Sequence, residues 1–269
     1  MIVGIIRSDS SLMSTEDALK EAALCGNVDG YPLAVLVLAL RNRKQTTPTA
    51  SQVASVSWRQ QVLQNLIDYY AHLQDVYPLV RGTLIHSGFQ AFKAPEGVEL
   101  IRERRLRIKI PKYEDYVISG QVDLYYPDHR RLEDYKTCTV IPDLIKPDHI
   151  VQLAVYYWLL IWHNFHVDRV AINYVAWNTC CQLSQARLES KEVGEVVGHR
   201  LFQDEQAFID QLVQGWDVLE AGFRNAEVPS TKECDLRYCR NCPVKWVCDV
   251  LSVWGETIDP AEFQQRDYR

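Results

Sequence analysis

Residues 119–157 read SGQVDLYYPDHRRLEDYKTCTVIPDLIKPDHIVQLAVYY. β-Branched and aromatic residues flank a Pro127-Asp128 turn signal, so Gln121 to Tyr126 and Arg131 to Cys138 are predicted to be the strands of a hairpin. If they pair antiparallel, Asp123 faces Asp134 or a close neighbour, and alternation returns Lys136 to the face of Asp134. Two carboxylates and an ammonium then converge. Carboxylate oxygens suit a hard divalent cation, Mg²⁺ or Mn²⁺, which keeps positions open for water and phosphate. A lysine there orients water and offsets charge on a phosphorus under attack. An Asp-x-Lys tripeptide by itself reads far more often as a solvated hairpin with Lys136 paired to Asp134, because such tripeptides are common. Its context sets this one apart: Gly120-x-x-Asp123 precedes it by one hairpin, and Gln152-x-x-x-Tyr156 follows on an apolar helix.

That ordered set resembles the PD-(D/E)xK nuclease superfamily and, within it, the RecB-like branch, which includes nuclease domains of bacterial recombination enzymes and CRISPR-associated adaptation nucleases. Arg81-Gly82-x-x-x-His86 is similar to the first motif of that branch. The similarity covers roughly Thr49 to Cys248 and is more specific than any single motif. It implies an α/β fold, a mixed central β-sheet flanked by helices (a restriction-endonuclease-like core) with a C-terminal cysteine lobe. It also implies His86, Asp123 and Asp134 as ligands of Mg²⁺ or Mn²⁺, with the Tyr135 carbonyl completing the site. Asp123, Asp134 and Lys136 become the catalytic residues, and Gln152 and Tyr156 line the DNA path. The activity implied is phosphodiester hydrolysis in DNA by a metal-activated water, as an exonuclease on single-stranded ends. Glu133 departs from the family, which has an apolar strand residue there; it marks an edge position or competes with Asp134, and the Asp-x-Lys alternation favours Asp134. Glu103 resembles an acidic residue found near this position in relatives.

The chain has eight cysteines, four of them in Cys234-x4-Cys239-x2-Cys242-x5-Cys248. Such clustering suits thiolate ligation of Zn²⁺ or an iron–sulfur cluster better than a disulfide framework. Cys239-x2-Cys242-Pro243-x4-Cys248 resembles the terminal triplet of iron–sulfur RecB-like nucleases. Their fourth cysteine lies upstream, where Ser55 to Gln60 of this chain has none. Cys234 is the nearest substitute and Cys25 the other candidate; the departure keeps a 4Fe-4S cluster and Zn²⁺ both open.

A chain of 269 residues with 47% apolar content supports one sizeable core with a lobe. The expected division is 1–48 as an N-terminal extension, 49–230 as the nuclease core and 231–269 as the cysteine lobe. Helical spacing is expected from Trp58 to Leu73, ended by Pro78, then from Arg81 to Phe92, Asp148 to His163 and Asp204 to Phe223, with a strand from Val170 to Trp177. This order of helix, hairpin, helix and strand suggests a mixed sheet between helices. The N-terminal Met1 to Ile6 is too short for a secretory h-region, and the apolar run near Ile150 to Trp162 is too short to span a bilayer, so a soluble, cytoplasmic protein is expected. A net charge of −6 argues against a uniformly basic coat. Positive charge is local: Arg102, Arg104, Arg105, Arg107, Lys109 and Lys112 crowd one predicted strand, either as a solvated edge or as a phosphate track. DNA is the expected partner, with protein partners in recombination, replication or CRISPR adaptation compatible. The alternative function is a non-catalytic DNA-end-binding or protein-interaction module on the same fold.

Overall fold

A computed structural model describes residues 1–40, 45, 47–55, 57–110, 113–176, 187–192, 204–230, 242, 244–245 and 247–248. In chain order the first elements are β1 (Ile2–Ile6), β2 (Leu12–Ser14), α1 (Thr15–Cys25), β3 (Asn27–Val28), β4 (Tyr31–Pro32), α2 (Leu33–Ala39), α3 (Ala50–Val53), α4 (Trp58–Leu66) and β5 (Tyr69–His72). After them come α5 (Leu73–Ala91), β6 (Ile101–Ile110), β7 (Tyr113–Tyr126), β8 (Arg131–Cys138), α6 (Pro147–Trp162), β9 (Arg169–Ala176), β10 (Arg187–Glu192) and α7 (Glu205–Asn225).

Two compact units divide the chain. The first takes Met1–Pro48, Val56–Val80 and the described part of Asp217–Arg269; the second takes Thr49–Ser55 and Arg81–Trp216. The chain does pass from one unit to the other between Pro48 and Thr49, but Val56–Val80 returns to the first. The reason is strand pairing: β1 is the middle strand of a three-stranded sheet, antiparallel to β2 and parallel to β5. The amino-terminal strand is therefore integral to the unit containing residues 56–80. Its core gathers Ile5, Leu36, Leu63, Ile67, Val76 and Val244. Ser14 starts α1 by accepting the Asp17 N–H at 3.1 Å, and Gly26, at φ 85°, closes it in the left-handed conformation.

The same pairing overturns the helix expected from Trp58 to Leu73. Its first half forms α4, but Ile67 is extended and Tyr69–His72 pairs with β1. Consecutive aromatics, Tyr69 and Tyr70, fit a strand, and the open edge of β1 decides between the two periodicities. Pro78 does not end a helix either, because α5 runs through it from Leu73 to Ala91. Proline forfeits one helical hydrogen bond, which burial of Leu73, Val76 and Val80 offsets.

In the second unit a five-stranded sheet has the order β10-β9-β8-β7-β6. β8 and β9 are parallel, joined through α6; the other neighbours are antiparallel. This is the mixed sheet with flanking helices that the sequence led us to expect. The hairpin register is Tyr126↔Arg131, Tyr125↔Leu132 and Leu124↔Glu133, around a turn closed by Arg130 N–H to Pro127 O at 3.1 Å. α6 buries Leu153, Tyr156, Leu159 and Leu160. It approaches β7 so closely that a Cβ on Gly120 would meet Leu159 Cδ1 and Tyr156 Cε1, each at 2.8 Å. The glycine of Gly120-x-x-Asp123 thus sets the spacing between α6 and β7. Among the described residues, no helix is long and apolar enough to cross a membrane.

Two glycines in this unit should respond oppositely to alanine. Gly120→Ala is expected to lower the free energy of unfolding by roughly 1–3 kcal/mol through overpacking. Gly88, in α5, has nothing within 4 Å of an added Cβ, and Gly88→Ala should stabilise by about 0.5–1 kcal/mol. Urea unfolding of both variants checks this; equal effects would show that α6 has room to move away.

Candidate active site

Backbone pairing between β7 and β8 stops at Leu124↔Glu133. The next residues in register are Asp123 and Asp134. There the Tyr135 N–H donates to Asp123 Oδ2 at 2.8 Å, so a side chain takes the place of a ladder partner. Both carboxylates are buried, Asp123 at 3% exposure and Asp134 at 1%. Beyond them, β8 continues on its other side in register with β9 through Cys138↔Ala176.

Lys136 lies beside Asp134 as alternation predicts. Its Nζ is 3.0 Å from Asp134 Oδ1, 2.8 Å from Oδ2 and 2.9 Å from Gln152 Oε1. Gln152 Nε2 donates in turn to the Tyr156 hydroxyl at 2.6 Å. Gln152 and Tyr156 both reach the cleft wall, but these polar atoms are engaged in holding Lys136. Burial pushes the Tyr156 phenol well up, so it stays a neutral partner for that amide.

The third corner comes from α5 and β6. His86 Nδ1 is 2.7 Å from Glu103 Oε1 and 3.4 Å from Asp123 Oδ1. His86, Glu103 and Asp123 offer ligand atoms that all lie within 4.8 Å of one another. Gln121 Nε2 donates to the other oxygen of Glu103. Glu103 is held at φ 46°, in the left-handed region, although it sits within a strand. Such a conformation costs of order 1–3 kcal/mol and persists where the surroundings enforce it. The cleft has a volume of about 420 Å³, lined by Thr83, His86, Ser87, Glu103 and Asp123 among others.

Glu133 does not compete with Asp134. Its carboxylate accepts from Arg131 Nε at 2.6 Å and from the Tyr135 hydroxyl and Asn173 Nδ2 at 3.0 Å each. Glu103 is the residue that the sequence underweighted. Its signal was present, a single acid inside the basic run from Arg102 to Lys109. Tyr135 contributes its N–H to Asp123, while its ring packs edge-on against Phe89 with centroids 4.5 Å apart.

Burial, and next the charge of Asp134, push the Asp123 carboxyl up to about 7, against the opposing pull of His86 and Lys136. The hydrogen bond to Glu103 holds the His86 imidazole above its ordinary value despite burial. Asp134 Oδ2, buried, has no hydrogen-bond donor, because its short contact with Lys136 Nζ is not aligned as one. Two carboxylates and an imidazole, those of Glu103, Asp123 and His86, are a donor set that fits a divalent cation, with Asp134 beside it on the lysine.

Of the cysteine candidates, Cys234 and Cys239 lie outside the described residues. Cys242 and Cys248 are half-buried against the core of the first unit, and Cys25 is exposed. Among the described residues, these three cysteines do not converge into a group able to hold a metal. Arg59, 1% exposed, donates from Nε to Cys248 Sγ at 3.4 Å and from Nη1 to Pro229 O.

The family profile of the PD-(D/E)XK nuclease superfamily matches residues 36–249. The solved structure of SSO0001 is similar with a TM-score of 0.52 and 15% identity, over 88% of this chain and 96% of that one. A phage-related exonuclease from Haemophilus somnus 129PT aligns with a TM-score of 0.31 and 16% identity, over 65% of this chain and 81% of that one. No curated protein matches.

The carboxylate pair makes stability depend on pH. The folded state keeps a proton on Asp123 up to about pH 7, whereas an unfolded Asp releases it near 3.9. Stability is therefore greatest at low pH and lost as pH rises through that window. The raised His86 acts in the same direction. In EDTA, Asp123→Asn should gain on wild type by roughly 1–3 kcal/mol between pH 5 and 7, at about 1.4 kcal/mol per unit, and little more above it. Divalent cation should stabilise wild type most at pH 8. Parallel stability curves for the two proteins would rule out a charged, strained Asp123.

Proposed function

The chain belongs to the PD-(D/E)XK nuclease superfamily, and we propose that it is a Mg²⁺- or Mn²⁺-dependent deoxyribonuclease of the RecB-like branch, acting as an exonuclease on single-stranded ends. The observation that carries the catalytic reading is the convergence of His86, Glu103, Asp123 and Lys136 on one cleft, with Asp134 buried directly behind Lys136. The end-directed, single-strand part is supported by the motif resemblance from Arg81 to Tyr156.

His86, Glu103, Asp123 and Asp134 would hold the cation. A divalent cation there supplies Lewis acidity to a phosphoryl oxygen and lowers the pKa of water. The chain's own residues do the rest. Lys136 has three N–H donors, of which Asp134 and Gln152 take two. The third is available to a phosphate oxygen or to the attacking water. Gln152 and Tyr156 act as positioning residues, since they fix the ammonium rather than the substrate. The Tyr135 N–H holds one Asp123 oxygen and leaves the other toward His86.

We assign Cys234, Cys239, Cys242 and Cys248 to a separate structural site for Zn²⁺ or an iron–sulfur cluster. Its support is the spacing, together with Arg59. Among the described residues no carboxylate pairs with that buried guanidinium, and its Nη2 has no partner. A cation buried this way is costly unless the neighbouring sulfur belongs to an anionic group such as a thiolate-ligated metal.

Anaerobically purified protein should degrade end-labelled single-stranded DNA with Mg²⁺ or Mn²⁺ but not with EDTA. Asp134→Ala and Lys136→Ala should each lower the rate by roughly 10²-fold or more. Intact DNA under every condition, with binding retained, would replace this reading by a non-catalytic DNA-end module. The same preparation should contain zinc or show iron–sulfur absorbance, reduced in Cys248→Ser and unchanged in Cys138→Ser; equal metal content in both variants would remove Cys248 from the ligand set.

A further inference from the structure

The largest concentration of unpaired charge among the described residues lies on β6. Arg102, Arg104, Arg105, Arg107 and Lys109 fall within its ten residues, and the last four are exposed. Elsewhere among the described residues, surface arginines are paired: Arg7 with Glu21 and Asp29, Arg130 with Asp168, Arg131 with Glu133 and Glu192, Arg169 with Glu192 and Arg224 with Glu220. The β6 cations have no such carboxylate among the described residues. This accumulation occurs in a chain of net charge −6.

Its position links it to the cleft. β6 is the last strand of its sheet and pairs only with β7 among the described strands. Arg105 lies opposite Gln121, Arg107 opposite Ser119 and Lys109 opposite Val117. Arg105 Nη2 is 3.4 Å from Gln121 Oε1, and Gln121 holds Glu103 in the cluster. Residues two apart on a strand share a face at intervals of about 6.6–6.8 Å. Arg105, Arg107 and Lys109 therefore form a single file leading away from the cleft. Arg104, on the alternate side, stacks over the Phe165 ring at 5.9 Å.

We propose that β6 is a phosphate track on which Arg105, Arg107 and Lys109 bind one sugar–phosphate backbone and guide it to the cleft. The identity of the polyanion rests on the nuclease reading. A single file of cations matches one backbone, whereas a duplex presents two. Protection of an open sheet edge is the ordinary use of charge on such a strand. It needs only a charge or two of either sign, and it gives no reason for an unpaired row of one sign beside the site.

The two roles separate in the salt dependence of binding. Affinity of a labelled oligothymidylate is measured in EDTA between 0.05 and roughly 0.3 M salt, by fluorescence anisotropy, for wild type and Arg105→Gln/Arg107→Gln/Lys109→Gln. Each phosphate contact to a single strand contributes about 0.7 to the slope of log affinity against log salt, so loss of three should flatten it by about 2 and weaken binding roughly 10- to 100-fold near 0.1 M. Arg130→Gln/Arg169→Gln, at the far turn, removes exposed arginines and should keep the wild-type slope. If the triple variant unfolds at lower temperature, the single variants Arg105→Gln and Arg107→Gln should each still flatten the slope by about 0.7. An unchanged slope, or equal flattening in the far-turn control, overturns the track. Wild type that binds as described yet cleaves nothing with metal would overturn the nuclease reading and leave the track standing.

Discussion

Everything in the second unit answers to one electrostatic constraint, the burial of Asp123 and Asp134 side by side where β7 and β8 part. Two carboxylates removed from water repel one another and lose hydration, which only cations and N–H donors can offset. The fold offers what a hairpin can. The Tyr135 N–H satisfies one oxygen of Asp123, and Lys136 takes one of Asp134. The other Asp134 oxygen is still without a hydrogen bond. A protein does not gain stability from such a pair, and pairs of this kind cluster at functional sites.

The surrounding elements read as the supports this pair requires. Gly120 lets α6 sit against β7, and that approach brings Gln152 to Lys136. With any larger residue at 120, the helix carrying Gln152 would be displaced and the ammonium would lose its second acceptor. Glu133 is tied off by three donors, which removes a third carboxylate from competition for the lysine. Glu103 instead enters the cluster, and its left-handed backbone shows that the strand conformation yields to that demand.

Local chemistry made the centre of this site legible from sequence. The Pro127-Asp128 turn and period-two alternation bring Asp123 to Asp134 or a close neighbour and return Lys136 to the face of Asp134; the observed pairing then selects Asp134. The helix bearing Gln152 and Tyr156 was equally legible, because its apolar spacing continues for four turns. What failed was non-local. Tyr69–His72 is a strand because β1, some sixty residues earlier, presents an edge to it, and no window around Tyr69 contains that information. The run through Pro78 was missed for the same reason. Glu103 was legible as an interruption in a basic run, but the backbone turn that points it inward has no sequence code in a non-glycine residue.

His86 shows how the cluster copes with its own charge. One nitrogen, Nδ1, faces Glu103 at 2.7 Å and Asp123 at 3.4 Å. A proton there gives an imidazolium between two carboxylates, and these contacts are what raise its affinity for that proton. A divalent cation in the same cluster would neutralise the same oxygens and repel the imidazolium. Proton and cation are therefore alternatives, and each weakens the binding of the other. Glu103 would sharpen that exchange, because the carboxylate that stabilises the protonated histidine also belongs to the group that could hold the cation. The strained residue on β6 would thus couple metal affinity to pH, a coupling that Asp123 and Asp134 alone would produce only through their mutual repulsion.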